Sequence, residues 1–434
     1  MTPVPTSEAT PTQTTRRDDD DFDDDDDKTT KWVMVVTIVK LGGRAITDKS
    51  TRETLDGAAL EKCAVLLRDA LLRARRKMMM KNDDFDDDDD DGKEERREVM
   101  IAIHGAGSFG HMDAKECGLG EKERKMKMKS KAFEDGCAKT RASVQKLNAI
   151  VTERLEKDNE ITVLRRHVGD AWRFNEKGEV EIDNGIGDVR EYCEEQCSSS
   201  ASSTSTPSLL LLHGDVVEDA AHGRSILSGD RIALEVAKAY AMESTRKNKP
   251  VVIRVVFITG ARGVFNRDPF DDDDDEKNAT PCKLLRKIET TTDGEWICVK
   301  DNLKSDIEDF AYATNDRLRY NALSKKKRDN NNTSKRKEGQ ISATTDSHDV
   351  TGGILGKIQS AVAIANLSSQ NPKANVQVYI TSVHSPDDQN NDDVFAALSG
   401  SVDIDALVDT RTAKPWRGTV IVREDAGEPQ KRKE

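Results

Sequence analysis

Residues His104–His111 read HGAGSFGH, a glycine-rich sequence between two histidines from which the expected fold can be built outward. The run before it, Val99–Ile103, is continuously apolar, as in a strand that is buried on both faces. A helix is expected after it. Glycines at a strand-to-helix turn let backbone N–H groups approach an anion without a Cβ in the way. The stretch therefore predicts a phosphate-binding turn.

Two more glycine turns each come with a lysine. VKLGG at Val39–Gly43 ends an apolar run, and DVTGGILGK at Asp349–Lys357 leads into a helical pattern. A site for phosphoryl transfer needs backbone N–H donors around the phosphates and cations beside the phosphate oxygens. Three glycine turns with two lysines, Lys40 and Lys357, therefore predict phosphoryl transfer.

A dinucleotide-binding site is the first alternative, because Gly105–Gly110 matches the pattern GxGxxG. Such a site also needs an acidic residue at the end of the next strand, about 20 residues further on. The segment that follows, Glu121–Lys131, is basic and helix-like instead. The dinucleotide interpretation is therefore disfavoured. A glycine turn that only packs a helix close to a sheet remains a second alternative for this motif taken alone.

Short apolar runs alternate with helical patterns along the chain. The predicted strands are Val33–Val39, Val99–Ile103, Ile161–Leu164, Leu209–Leu212, Val251–Ile258 and Val376–Ile380. The predicted helices are Thr54–Lys77, Ser143–Leu155, Asp230–Met242 and Gly353–Ala365. This alternation predicts the α/β class, as a three-layer αβα sandwich with a largely parallel central sheet. Ligands of such sheets bind at the carboxyl ends of the strands, where the glycine turns lie.

The net charge of −13 comes from three aspartate tracts, Asp18–Asp27, Asp83–Asp91 and Asp271–Asp275. They hold 22 of the 81 acidic residues, so the rest of the chain has 68 Lys plus Arg against 59 acids. A mildly basic body suits a small polyanion such as a nucleotide. Aromatic residues make up only 4% of the chain, which argues against stacking platforms for nucleic acid.

The seven cysteines indicate a reducing compartment, because their number is odd and their spacing is scattered. Cys193 and Cys197 form the closest pair, without a second pair that would complete a zinc site. The N-terminal segment lacks the apolar core of a signal peptide. No apolar run approaches the roughly 20 residues that cross a bilayer. We therefore expect a cytoplasmic protein that binds neither membrane nor nucleic acid.

Low-complexity segments separate a single expected domain, 31–423, from two tails. An acidic disordered tail, 1–30, and a charged tail, 424–434, flank it. The insertions within the domain are 81–97, 198–207, 268–280 and 324–347. These segments contain too few apolar residues to offset the entropy cost of ordering them. We therefore expect solvated loops or tails there.

Six sequence blocks occur together in one order. They are VKLGGRAITDK at Val39–Lys49, HGAGSFGH at His104–His111, LHGDVVED at Leu212–Asp219, ILSGDRIA at Ile226–Ala233, ITGARGVFNRDP at Ile258–Pro269 and DVTGGILGK at Asp349–Lys357. On these blocks the chain resembles the isopentenyl phosphate kinases of the amino acid kinase superfamily, over roughly residues 33–405. The resemblance implies an amino acid kinase-like fold, a homodimer, and ATP with Mg²⁺ as cofactors. It also implies phosphorylation of isopentenyl phosphate to isopentenyl diphosphate, in isoprenoid precursor synthesis by the mevalonate pathway.

The resemblance also implies roles for individual residues. The catalytic residues that it implies are Lys40, Lys49, His111, Asp230 and Lys357. The ATP-binding residues are Lys40, Leu41, Gly42, Gly43, Arg44, Gly107, Gly260, Gly352, Gly353 and Lys357. The acceptor-binding residues are Ala106, Gly110, His111 and Gly229. No side chain is assigned as a metal ligand. The N-terminal part, 31–225, would hold the acceptor, and the C-terminal part, 226–423, would hold the nucleotide.

His111 discriminates between classes of acceptor. A phosphate acceptor needs an extra donor beside the incoming ATP, and an imidazole or imidazolium can provide it. The resemblance places His111 against the acceptor phosphate and Asp230 between the two lysines. From the residues alone, His111 could instead be a structural histidine and Asp230 a helix N-cap.

Some positions depart from the family pattern. Arg44 stands where relatives usually have serine, Ala106 where they have glycine, and Thr259–Val264 where archaeal relatives read TDVDGV. The nucleotide contacts are therefore the least defined part of the site.

Three alternative functions stay open. The chain could be a related kinase for another small phosphate acceptor, such as a nucleoside monophosphate. It could be a related kinase for a carboxylate or carbamate acceptor, which His111 disfavours, or a nucleotide-binding protein without turnover.

Overall fold

The computed structural model describes residues 32–48, 50–83, 95–119, 130–182, 189, 206–265, 284–290, 296–298, 318–320, 353–384, 390–402 and 416–423. Their strands are β1 Trp32–Leu41, β2 Thr47–Asp48, β3 Thr54–Leu55, β4 Glu95–His104, β5 Thr162–Arg165, β6 Trp172–Phe174, β7 Val180–Ile182, β8 Ser208–His213, β9 Asp215–Asp219, β10 Gly223–Leu227, β11 Val251–Ile258, β12 Val264–Phe265, β13 Leu284–Leu285, β14 Lys287–Thr290, β15 Trp296–Cys298, β16 Leu318–Tyr320, β17 Ala374–Thr381 and β18 Thr419–Arg423. Their helices are α1 Gly43–Ile46, α2 Gly57–Asp83, α3 His111–Glu116, α4 Lys131–Leu155, α5 Gly229–Lys247, α6 Gly353–Ala365, α7 Leu367–Gln370 and α8 Asn390–Ser399.

Ten of these strands form one central sheet, in the order β16-β15-β14-β18-β17-β11-β1-β4-β8-β5. The six strands from β17 to β5 all run parallel to one another. Among the described strands of this sheet, antiparallel pairs lie toward the other edge, where β17 meets β18 and where β15 lies between β14 and β16. The largely parallel sheet predicted from the alternating pattern is therefore confirmed.

Apolar clusters cover both faces of this sheet. On one face α5 and α6 pack against residues such as Ile38, Ile103 and Val255. On the other face α2, α4 and α8 pack against residues such as Val39 and Ala102. Successive strand residues point to opposite faces, so each parallel strand needs apolar residues at almost every position. The three-layer αβα sandwich expected from the sequence is confirmed.

Two helices begin well away from their predicted first residues, and α5 extends past its predicted end at Met242 to Lys247. The helix predicted from Thr54 begins at Gly57, because Thr54 pairs with Asp48 in a short ladder. The Asp56 carboxylate then accepts a hydrogen bond from the Ala59 N–H group and caps the new helix. The helix predicted from Ser143 already begins at Lys131. Its apolar face continues back to Phe133, and Ser130 caps it.

The first acidic insertion is narrower than the predicted 81–97, because α2 runs to Asp83 and β4 starts at Glu95. The tails 1–30 and 424–434, the insertions 268–280 and 324–347, the pair Cys193 and Cys197, and 198–207 apart from its last two residues lie outside the described part of the chain. Within the described part, none of the helices has the length and apolar composition of a membrane span.

Candidate active site

A buried carboxylate lies between two lysines at the carboxyl edge of the central sheet. Lys40 Nζ is 2.6 Å from Asp230 Oδ1, and Lys357 Nζ is 3.5 Å from Asp230 Oδ2. Lys40 and Asp230 are buried, and Lys357 is half-buried. The structure thus brings together three predicted residues that are far apart in the sequence.

Local structure explains how each group reaches this place. Lys40 is the penultimate residue of β1, and its side chain points to the face that α5 and α6 cover. Ser228 caps α5 by accepting a hydrogen bond from the Arg231 N–H group, which puts Asp230 in the first turn of the helix. Ser228 therefore has the N-cap role that the sequence had left open for Asp230. Lys357 lies in the second turn of α6.

The charge state of Asp230 follows from these neighbours. Burial raises the pKa of its carboxyl group, but the ammonium groups of Lys357 and Lys40 outweigh burial, so the pKa lies below its usual value. The carboxylate stays ionised and holds two cations at the sheet edge. A pair of ammonium groups oriented in this way is suited to neutralise phosphate oxygens.

Two of the glycine turns are packed directly against each other. A Cβ atom on Gly43 would lie 2.6 Å from the Cα atom of Gly107, and Gly107 has a positive φ of 53°. Gly42 N–H donates to the Ile258 carbonyl, and Gly105 N–H donates to the Leu41 carbonyl. Consequently the turn after β1 and the turn after β4 form one backbone surface beside Lys40.

Thr47 joins these two turns, a role that we did not predict from the sequence. Its hydroxyl donates to the Gly43 carbonyl at 2.7 Å and accepts from the Ser108 N–H group at 3.0 Å. A threonine that follows a glycine pair at a spacing of four residues is the only signal in the sequence. Such a signal does not identify a partner more than 60 residues away.

His111 begins α3 at the far end of the second turn and is buried. Its Nδ1 atom donates to the Gly107 carbonyl. A ring that donates through Nδ1 can also donate through Nε2 only as an imidazolium. Donation to an acceptor phosphate would therefore bring a positive charge to the turn, as a phosphate site needs.

The remaining predicted residues have the following positions. Leu41, Ala106, Gly110 and Gly229 lie on or beside the paired turns, and a Cβ atom on Gly229 would lie 3.3 Å from Lys40 Cε. Gly260 packs against Arg44, since its Cβ atom would be 3.2 Å from Arg44 Cβ. Gly353 begins α6. Lys49 and Gly352 lie outside the described residues.

Two buried histidines near these turns should make the free energy of unfolding depend on pH. Burial, and then the neighbouring His213, lowers the pKa of His104 to about 3, and burial lowers the pKa of His213. Unfolded histidine has a pKa of about 6.5, so below that pH the unfolded chain binds protons that the folded chain does not. The free energy of unfolding should therefore fall as the pH drops below about 6.5, by on the order of 1 kcal/mol per pH unit for His104 down to its folded pKa of about 3, and His213 should add to this fall.

Denaturant titrations at pH 7.5 and 5.5 would measure this fall. We expect a smaller fall in a His104→Asn variant, because asparagine does not titrate in this range. An equal fall in both proteins would contradict the assignment of His104 as a buried neutral ring.

Comparison with known proteins gives a relative and a solved structure that extend along most of the chain. No protein-family model matches the sequence. An isopentenyl phosphate kinase of Arabidopsis thaliana is 27% identical over 398 residues, which are 88% of this chain and 94% of the relative. An isopentenyl phosphate kinase known from X-ray structures superposes with a TM-score of 0.50 at 20% identity, over 89% of this chain and 100% of that chain. The amino acid kinase-like fold expected from the sequence is confirmed.

Proposed function

We propose that this chain, which has the amino acid kinase-like fold and is similar to isopentenyl phosphate kinases along most of its length, transfers the γ-phosphoryl group of ATP to isopentenyl phosphate. The products are isopentenyl diphosphate and ADP. The observation that carries the proposal is the pair of ammonium groups on Lys40 and Lys357, which the buried Asp230 carboxylate holds beside two joined glycine turns. The relative from Arabidopsis supports the choice of acceptor.

The reaction is an in-line displacement. An oxygen of the acceptor phosphate forms a bond to the γ-phosphorus, while the bond between that phosphorus and the β–γ bridging oxygen breaks. The acceptor phosphate is largely ionised at neutral pH, so no general base is required. The bridging oxygen leaves with the electron pair as part of ADP.

The side chains of the site act by charge and position. Lys40 and Lys357 would offset the negative charge that spreads over the transferring group, and Asp230 would keep the two ammonium groups in place. The turn after β1 would present N–H groups to the nucleotide, and Lys49 would reach the phosphates from the segment that follows α1. His111 would donate to the acceptor phosphate from the other turn.

Mg²⁺ would enter bound to ATP and would supply positive charge beside the nucleotide phosphates. The ion usually keeps several of its waters and needs few protein ligands in such sites. Among the described residues, no cluster of three or more His, Cys, Asp or Glu side chains is arranged to hold a metal ion. The donor set of the site, two lysines and backbone N–H groups, fits the nucleotide phosphates.

We further propose that the enzyme works in the cytoplasm as a homodimer, in isoprenoid precursor synthesis by the mevalonate pathway. Residues 31–225 would hold the acceptor, and 226–423 would hold the nucleotide. The odd number and the scattered spacing of the seven cysteines support a reducing compartment.

An ADP-release assay with Mg-ATP tests the acceptor. Isopentenyl phosphate and dimethylallyl phosphate would be compared with glutamate and UMP. We expect turnover with the isoprenoid phosphates. Turnover with glutamate or UMP alone would instead indicate another kinase of this fold, and nucleotide binding without turnover would indicate a non-catalytic protein. Either result would contradict the proposal.

A His111→Ala variant tests the residue that selects phosphate acceptors. We expect the KM for isopentenyl phosphate to rise about 10- to 100-fold, because a charge-assisted hydrogen bond to the acceptor is lost. The KM for ATP should change much less. The control is His222→Ala, since His222 is half exposed on the turn between β9 and β10. Equal KM values in the parent and the His111→Ala variant would rule out this role.

A further inference from the structure

Two His-Gly pairs end neighbouring strands of the sheet. His104 ends β4, His213 ends β8, and the two residues are in register. Both side chains are fully buried, and their rings stack with centroids 5.4 Å apart. His104 is in register with Leu41, so it points to the face opposite Lys40, where Asn148 of α4 contacts it. The proposed reaction does not use these rings directly.

Each ring donates a hydrogen bond to the carbonyl group of the glycine that follows it. His104 Nδ1 lies 3.2 Å from the Gly105 oxygen, and His213 Nδ1 lies 3.0 Å from the Gly214 oxygen. A carbonyl oxygen only accepts, so the proton is on Nδ1 in both rings. Burial keeps the pKa of both histidines below the usual value, so the rings are neutral and each Nε2 atom is an acceptor.

The partner of His213 Nε2 agrees with this tautomer, and the partner of His104 Nε2 agrees with it once the side-chain amide of Asn148 is assigned the other way round. His167 Nδ1 lies 2.8 Å from His213 Nε2 and donates to it. The Asn148 side-chain amide faces His104 Nε2 at 3.1 Å with its oxygen, while its nitrogen has no partner among the described residues. A half-turn of that amide places the NH₂ group against Nε2. That half-turn gives the ring the donor it requires.

Two peptide groups of the turn after β4 accept a hydrogen bond from a histidine, and they differ in whether their N–H group is also bonded. The Gly107–Ser108 peptide is bonded at both ends, its carbonyl by His111 and its N–H group by Thr47. The Gly105–Ala106 peptide is bonded at its carbonyl by His104, and its N–H group donates to no other residue in the described part of the chain. A trans peptide is planar, with its N–H group opposite its C=O group. Holding the Gly105 oxygen toward α4 therefore aims the Ala106 N–H group away from α4.

We propose that His104 is a positioning residue, which fixes the Gly105–Ala106 peptide so that the Ala106 N–H group donates to the acceptor phosphate. This inference rests on the proposed function. His104 does not touch the substrate; it acts through one peptide group. Asn148 holds the ring from α4, and the stacked His213 fills the space beside it.

A matched pair of variants separates positioning from simple packing. In His104→Asn the side-chain amide can replace Nδ1 as the donor to Gly105. In His104→Gln the amide can reach only the position of Nε2. Both variants keep a buried polar side chain in the core. We expect KM for isopentenyl phosphate to rise about 10-fold in His104→Gln and less than 3-fold in His104→Asn, with KM for ATP changed less than 3-fold in both. Equal KM values for the two variants, or a change confined to the melting temperature, would overturn the proposal.

A spectroscopic measurement on the parent protein does not depend on the variants folding. In ¹⁵N-histidine-labelled protein we expect His104 to carry its ring proton on Nδ1, with and without inorganic phosphate. A proton on Nε2 would overturn the positioning role even if the enzyme phosphorylates isopentenyl phosphate. Conversely, absence of that turnover in the parent would contradict the proposed function, whatever the tautomer.

Discussion

Replacing Asp230 with asparagine should lower kcat by about 10²- to 10³-fold, the size of effect seen when one oriented electrostatic group is removed. The amide fills nearly the same volume but has no charge. Lys40 Nζ lies 2.6 Å from one carboxylate oxygen, and Lys357 Nζ lies 3.5 Å from the other. Without the carboxylate the two ammonium groups repel each other in a buried place, so they move away from the positions that would face the transferring phosphoryl group.

Steady-state kinetics with saturating Mg-ATP and isopentenyl phosphate would measure this loss, together with the melting temperature. Asp219→Asn is the matched control. Asp219 is also buried, but it accepts its hydrogen bonds from Ala221 and His222 in the turn after β9 and from Ser225 in β10. We expect that control to lower stability and leave kcat within about 3-fold of the parent. If Asp230→Asn kept kcat within 10-fold, the carboxylate would not be the group that orients the lysines.

The lysine and glycine positions were predictable because parallel α/β folds have a simple rule. The carboxyl ends of β1 and β4 must lie at one edge of the sheet, so the turns that follow them must be neighbours. Lys40 ends one of these strands, and the contact between Gly43 and Gly107 is the result. Lys357 was predicted from the third glycine turn, and the resemblance then supplied the place of Asp230 between the two lysines. Both residues lie on helices that the rule does not place.

Hydrogen bonds between residues far apart in the sequence were not predictable in the same way. Thr47 bonds to Ser108, and His104 bonds to Asn148, without any periodic pattern that marks them. The start of the helix at Gly57 was missed for the same reason. Thr54 forms a strand pair with Asp48 instead of a helical turn, and its N–H group donates to the hydroxyl of Ser108, a residue far away in the sequence. A tertiary contact that gives a buried polar group its hydrogen-bond partner outweighs the local preference of a residue for helix or strand.

A Gly43→Ala substitution should have the other large effect, because it forces apart the two turns that form the phosphate-binding surface. The new methyl group would lie 2.6 Å from the Gly107 Cα atom and 2.7 Å from the Gly107 nitrogen. Backbone atoms cannot rotate away as a side chain can, so one turn must move. We expect kcat/KM for both substrates to fall more than 100-fold and the free energy of unfolding to fall by about 1–3 kcal/mol.

Gly57→Ala is the matched control, because a Cβ atom at Gly57 would meet nothing within 4 Å at the start of α2. Alanine should leave kcat/KM unchanged there and raise the free energy of unfolding slightly, since glycine costs about 0.5–1 kcal/mol in a helix. Kinetics and denaturant titration on the two variants would be compared with the parent. A Gly43→Ala enzyme within 3-fold of the parent would mean that the turns can separate without harm. Phosphoryl transfer would then not depend on the close contact of the two turns, and that contact would serve packing rather than phosphate binding.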